Sequence, residues 1–92
     1  RRSPLMHEVR LSSVALRDLD AISPRYAAAI VEFMFGLLAE NPRRVGKPLS
    51  RELSGTWSAR RGDYRVLYRV DDATEGVLVI RVDHRARVYR TR

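Results

Sequence analysis

The sequence predicts an α+β fold, an antiparallel β-sheet with an N-terminal helical hairpin packed on one face. Three observations predict it. Apolar residues recur at helical spacing between Ser12 and Asn41. After Gly55 the period switches to two. The later segments are separated by turns that only reverse a strand, Gly62-Asp63 and Asp71–Gly76. The 92 residues suffice for one domain, 1–92, with residues 1–5 read as an expression remnant, a disordered lead, or part of a longer reading before a start at Met6.

In chain order, His7–Leu11 alternates and reads as a first or edge strand. Ser12–Ile22 follows with a loose apolar stripe of Val14, Leu16, Leu19 and Ile22, capped by Ser12 or Ser13. Ser23-Pro24 restarts a helix, with a capping serine and proline at the first helical position. Tyr26, Ile30, Phe33, Met34, Leu37 and Leu38 form its stripe, which reads as core. The helix ends at Asn41-Pro42, and its ~18 residues span about 27 Å. Pro42–Gly55 is a basic connection with a short helical turn expected around Leu49–Leu53. Thr56–Arg61, Asp63–Val70 and Val77–Asp83 read as three antiparallel strands, and Arg85–Arg90 as a fourth short strand or an irregular end.

Composition narrows the function. There is no cysteine, which excludes a disulfide framework, thiolate chemistry and a Cys-based zinc site. His7 and His84 have no metal-ligand spacing, so no metal or cofactor is expected. No apolar run approaches the ~18–20 residues that span a membrane. Residues 1–6 are too short for a signal peptide, and a cytoplasmic location is expected. Lys plus Arg is 18 against 11 acids, a net charge of +7, and Lys47 is the only lysine. Guanidinium is planar and grips phosphate with two parallel hydrogen bonds. The charge points to a polyanion, nucleic acid first; a solubility role or an acidic protein partner are the other readings.

Alternation places the charge. In the middle strand Tyr64, Val66, Tyr68 and Val70 share a face, and Arg65, Leu67 and Arg69 share the other. In the next strand Arg81, Asp83 and Arg85 fall on one side, while His84 falls with Leu78, Ile80 and Val82. Two neighbouring strands are therefore expected to present arginines on the face the helices leave uncovered.

The stretches GKPLSRELSGTWSARRGDYRVLYRVDD and VLVIRVDHRARVYR resemble the RelE-type toxins of bacterial type II toxin–antitoxin systems, within the RelE/ParE superfamily. The resemblance runs from His7 to Arg90. RRGDYRVLYRV is shared with ParE-like gyrase inhibitors, and HR followed closely by VY leans toward RelE. The resemblance implies a metal-independent endoribonuclease that enters the ribosomal A site and cuts mRNA, the ribose 2′-OH attacking the adjacent phosphate. It implies catalytic roles for Arg65 and Arg85 at the phosphate, for His84 in proton transfer, and for Tyr89 in stacking or in orienting the 2′-OH. Arg43, Arg44, Lys47, Arg51, Arg60, Arg61 and Arg69 are the candidate RNA-backbone contacts. Each has a plainer reading: a salt bridge for Arg65, one more tail arginine for Arg85, a core-facing ring for His84, a sheet-edge tyrosine for Tyr89, a solvated loop for the connection.

Two departures bear on mechanism. Lysine positions used for acid–base work in some RelE toxins read here as Thr56 and Ser58, which leaves the general base unidentified. Some members end in a helix that rearranges when antitoxin binds; here the sequence stops at Arg92, so neutralisation is expected by covering the basic groove or displacing Tyr89. The expected partners are a cognate antitoxin with an acidic amphipathic segment, the ribosome and mRNA, and operator DNA only through the antitoxin. The alternative is a non-catalytic, ParE-like gyrase inhibitor; a co-repressor that has lost its toxin activity is a weaker third reading.

Overall fold

The computed structural model describes residues 6–50 and 54–84. Its elements are β1 (Glu8–Leu11), α1 (Ser13–Asp20), α2 (Pro24–Phe33) with a π-helical continuation over Met34–Leu38, α3 (Pro42–Val45), β2 (Gly46–Pro48), β3 (Trp57–Arg61), β4 (Tyr64–Asp71) and β5 (Gly76–His84). The sheet order is β1-β5-β4-β3-β2. The α+β architecture with helices on one face is as the periodicity predicts. The sheet is mixed, however, because β1 pairs with β5 in parallel, Glu8 opposite Gly76 through Leu11 opposite Val79. Two helices separate β1 from the later strands, so no tight turn forces it to run antiparallel.

Pro42–Gly55 also differs from expectation. A helical turn lies at Pro42–Val45, where Pro42 occupies the first helical position; the turn expected around Leu49–Leu53 falls largely on residues that are not described. Residues 51–53 lie outside the described residues. Gly46–Pro48 forms an extra edge strand against Trp57–Ala59. The candidate fourth strand, Arg85–Arg90, also lies outside the described residues.

The helical stripes are corrected in detail. In α1 the buried residue is Ala15, while Val14 and Leu16 are exposed. In α2 and its continuation Ile30, Phe33, Met34 and Leu38 are buried, while Tyr26 and Leu37 are exposed. Ile30, Met34 and Leu38 are spaced by four, and four residues overshoot an α-helical turn by about 40°. The wider π winding at Met34–Leu38 brings Leu38 back over the core. That core joins these side chains to Ala59, Val66, Tyr68, Val77, Val79 and Val82 from the sheet. Each large apolar side chain buried there contributes roughly 1.5–3 kcal/mol.

The free edge of β5 beyond β1 is closed by α1. Ser12 N–H donates to the Val79 carbonyl at 2.9 Å, the Ser12 hydroxyl donates to the Ile80 carbonyl at 3.0 Å, and Val82 N–H donates to Asp18 Oδ2 at 2.8 Å. The Ser12 backbone and the Ser12 and Asp18 side chains thus satisfy the backbone groups that a neighbouring strand would otherwise take. The Ser12 hydroxyl also accepts from Ala15 N–H at 3.0 Å, capping α1. Ser12→Ala removes both bonds and is expected to cost about 1–2 kcal/mol, read as a lower urea midpoint. An unchanged midpoint would mean the cap contributes nothing.

Tyr68 ties the sheet to the connection. It is fully buried, and its hydroxyl donates to the Pro42 carbonyl at 2.5 Å. Burial disfavours the phenolate and pushes the pKa from 10.0 up to about 12. The folded state therefore favours the protonated form. Its contribution is complete below pH 10 and is lost as the pH rises toward about 12. Wild type should lose stability across that window more steeply than Tyr68→Phe, measured as denaturant midpoints between pH 9 and 12. Parallel profiles would remove Tyr68 as the titrating group.

Candidate nucleic-acid interface

Strand register decides which side chains meet on the face away from the helices. Arg60 of β3, Arg65 of β4 and Asp83 of β5 lie in one cross-strand row. Lys47, Ser58, Leu67 and Arg81 form the next row, and Arg69 lies opposite Leu78. Directly opposed residues share a face, with Cβ atoms about 4.5–5.5 Å apart. Five cationic side chains therefore originate around a floor of Ser58 and Leu67, which are 6% and 8% exposed. The Ser58 hydroxyl is buried with no hydrogen-bond partner among the described residues. A buried, unused hydroxyl beneath cationic side chains is a polar group that a ligand can satisfy.

A bulge makes this face. Leu67 faces Arg81, but Tyr68 faces Val79, so Ile80 is an extra residue in β5. Val77, Val79 and Val82 consequently all reach the core, which strict alternation forbids. Leu78 moves to the open side with Arg81 and Asp83. The sequence-based grouping of His84 with Leu78 and Ile80 is corrected accordingly.

His84 itself stays on the helix side with Val82. It sits edge-on to Tyr64 at 5.6 Å between ring centroids, and Tyr64 meets Tyr26 at 6.2 Å. These rings, with Arg61 and Asp63, line a groove of about 370 Å³ between α2 and the β3–β4 turn. Arg65 and His84, both catalytic candidates, are therefore held on opposite faces of the sheet, in adjacent cross-strand rows. Arg85, Tyr89 and Arg51 lie outside the described residues.

The remaining basic candidates divide. Lys47 joins the open face because β2 pairs with β3. Arg60 and Arg69 are exposed on that face, and Arg44 is exposed on α3. Arg61 turns to the groove side, opposite Tyr64. Arg43 is engaged in the fold: it pairs with Asp72 at 2.8 Å and lies 5.9 Å over the Trp57 ring. Trp57 packs against the core. Sequence reasoning put Arg81 and Asp83 on one side but missed Asp18, which joins them in an ion network, because α1 and β5 are remote in the chain. Among the described residues no group of three or more His, Cys, Asp or Glu could hold a metal ion, and no helix is long and apolar enough to cross a membrane.

The fold and site define a small α+β domain whose bulged sheet gathers cationic side chains on the face away from the helices. Comparison with known proteins narrows that class. Residues 9–89 match the family described as "ParE toxin of type II toxin-antitoxin system, parDE". The chain belongs to that family, within the RelE/ParE superfamily of type II toxins. It is 58% identical over 84 residues to "Toxin RelG" of Mycobacterium tuberculosis, covering 91% of this chain and 97% of the relative. It is 48% identical over 84 residues to "Toxin RelE" of the same organism, covering 91% and 87%. Its fold matches a chain in the crystal structure of the toxin–antitoxin complex RelBE2 from M. tuberculosis, with TM-score 0.84, 57% identity, and coverage of 86% of this chain and 98% of that one. The isolated RelE toxin of Escherichia coli shares the fold alone, at TM-score 0.69 and 19% identity over 91% and 97% of the two chains.

Proposed function

We propose that this toxin is a ribosome-dependent mRNA endoribonuclease that cleaves A-site codons without a metal. The observation that carries the reading is the row Arg60–Arg65 beside the buried Ser58 hydroxyl, which has no hydrogen-bond partner among the described residues. Two forks of fixed positive charge and one hydroxyl donor suit a phosphate that gains negative charge as it is attacked. In the reaction the ribose 2′-OH gives up its proton and bonds to phosphorus. The bond to the 5′-oxygen breaks, and that oxygen takes up a proton, leaving a cyclic phosphate and a 5′-hydroxyl. Arg65 stabilises the pentacoordinate phosphate. Proton transfer falls to His84 and Tyr89 or to ribosomal groups, since guanidinium does not deprotonate. His84 sits on the helix side and ends β5, so this role requires it to act at the sheet's end rather than across the open face. Arg85 adds a second phosphate contact. Arg44, Lys47, Arg51, Arg60, Arg61 and Arg69 hold RNA backbone, while Arg43 is engaged with Asp72 and Trp57.

The similarity to a toxin solved as a toxin–antitoxin complex supports a cognate antitoxin here. An acidic amphipathic segment of that partner would cover the open face, and operator DNA would be reached only through it. A cytoplasmic site of action follows from a ribosomal target. The second reading, gyrase inhibition, draws on the ParE description of the matching family. One experiment separates them. Toxin freed of antitoxin is added to a reconstituted translation reaction with a defined mRNA, and cuts are mapped by primer extension. Codon-phased cuts that require ribosomes are expected. Intact mRNA together with gyrase-dependent DNA breaks would replace this reading with the second.

A further inference from the structure

Arg81 and Asp83 stand on the same face as Arg65 and are held in a defined arrangement. Asp18 of α1, with a side chain 16% exposed, accepts from Val82 N–H at 2.8 Å and from Arg81 Nε at 3.0 Å. A second Arg81 nitrogen, Nη2, reaches Asp18 Oδ1 at 3.4 Å and Asp83 Oδ2 at 3.5 Å. The other Asp83 oxygen accepts from His84 N–H at 2.8 Å. The hydrogen bond to Asp18 pushes the Arg81 guanidinium further up, so Arg81 is charged at every working pH. Asp83 is the residue directly across from Arg65. A carboxylate at that position presents the same two-pronged acceptor as a phosphate and competes for the same guanidinium.

We propose that Arg81, anchored by Asp18, is a positioning residue that holds Asp83 and so sets how strongly Asp83 competes with RNA phosphate for Arg65. The inference rests on the reading of Arg65 as a phosphate ligand. Removing Arg81 takes one cation from Asp83 and shifts its carboxylate toward Arg65. Removing the Asp83 charge then relieves Arg65 again. A purely structural network behaves differently, because losing a second member would add to the damage.

The test compares wild type, Arg81→Met, Asp83→Asn and the double variant in two assays. One follows the Arg65 side-chain Nε–H resonance by NMR in the free toxin. The other measures single-turnover cleavage on programmed ribosomes. Arg81→Met should move the Arg65 resonance and slow single-turnover cleavage at saturating ribosomes roughly fivefold, the size of a partly exposed charge pair. The double variant should return both to the values of Asp83→Asn. An unmoved Arg65 resonance in folded Arg81→Met, or a double variant slower than Arg81→Met, overturns the proposal. Should Arg81→Met fail to fold, Asp18→Asn serves instead. It keeps an acceptor for Val82 N–H, weakens the anchor, and should give a smaller change of the same sign. The resonance moving as expected while wild type cuts no RNA would uphold the positioning and reject the ribonuclease.

Discussion

Arg65→Ala should abolish codon-phased cleavage while leaving the fold intact. Loss of one donor to a developing oxyanion typically lowers the chemical rate about 10²–10³-fold, or roughly 3–4 kcal/mol of transition-state stabilisation. Arg65 should sit at the upper end, because it supplies a full charge and a fork rather than a single neutral donor. Its half-buried position near the start of β4, the central strand, argues that the fork is preorganised by the sheet. Ribosome affinity should fall little, since Arg44, Lys47, Arg60 and Arg69 remain. The effect should therefore appear in single-turnover rate at saturating ribosomes. Arg65→Lys keeps the charge but not the fork and should recover only part of the rate. If Arg65→Ala cuts at the wild-type rate, the phosphate lies elsewhere, and the groove beside His84 becomes the place to search. Thermal midpoints should stay within a few degrees of wild type, which keeps loss of folding from imitating loss of chemistry.

The reason Arg65 was legible is that β4 alternates without interruption through Leu67, so period-two counting alone puts Arg65 opposite the core. The helix starts were legible for an equally local reason: Ser12 caps α1, and Pro24 opens α2. What escaped the sequence depended on registers and on partners distant in the chain. A three-residue strand such as Gly46–Pro48 has too few positions to show a period, yet it brings Lys47 to the open face. The bulge at Ile80 leaves no mark in the residue types, since isoleucine suits either face, yet it inverts the alternation that precedes it. That inversion is why Leu78 is exposed while Val79 and Val82 are both buried. No pattern in the sequence marks Asp18; its bonds to Val82 and Arg81 exist because α1 packs along the edge of β5. The parallel pairing of β1 was hidden for the same reason, because nothing local to His7–Leu11 records which strand it will join.

Gly46→Ala should destabilise the toxin by roughly 2–4 kcal/mol, combining overpacking with a lost buried hydrogen bond. The cause is space rather than backbone freedom, since Gly46 is extended with φ −123°. A Cβ built there lands on the Tyr68 hydroxyl, 3.0 Å from the ring carbon that bears it and 2.9 Å from the Ser58 carbonyl oxygen. The Ser58 carbonyl belongs to a paired strand and yields little. Tyr68 must therefore move, and its bond to the Pro42 carbonyl goes with it. Such a loss is a large fraction of the 5–15 kcal/mol that typically separates folded from unfolded states. Tyr68→Phe removes the atom that the new methyl meets first. The double variant should then lose less than the two single losses added together, with a coupling of about 0.5–3 kcal/mol, measured by urea denaturation at pH 7. The consequence extends to the open face, because the chain that Gly46 seats carries Arg43 and Arg44 on one side and Lys47 on the other. Gly46→Ala should thus weaken ribosome binding under conditions where the variant is still folded, while leaving the cleavage step at saturation nearly unchanged. A midpoint equal to wild type, or strictly additive losses in the double variant, would show that Tyr68 does not fix the approach of β2 to the sheet.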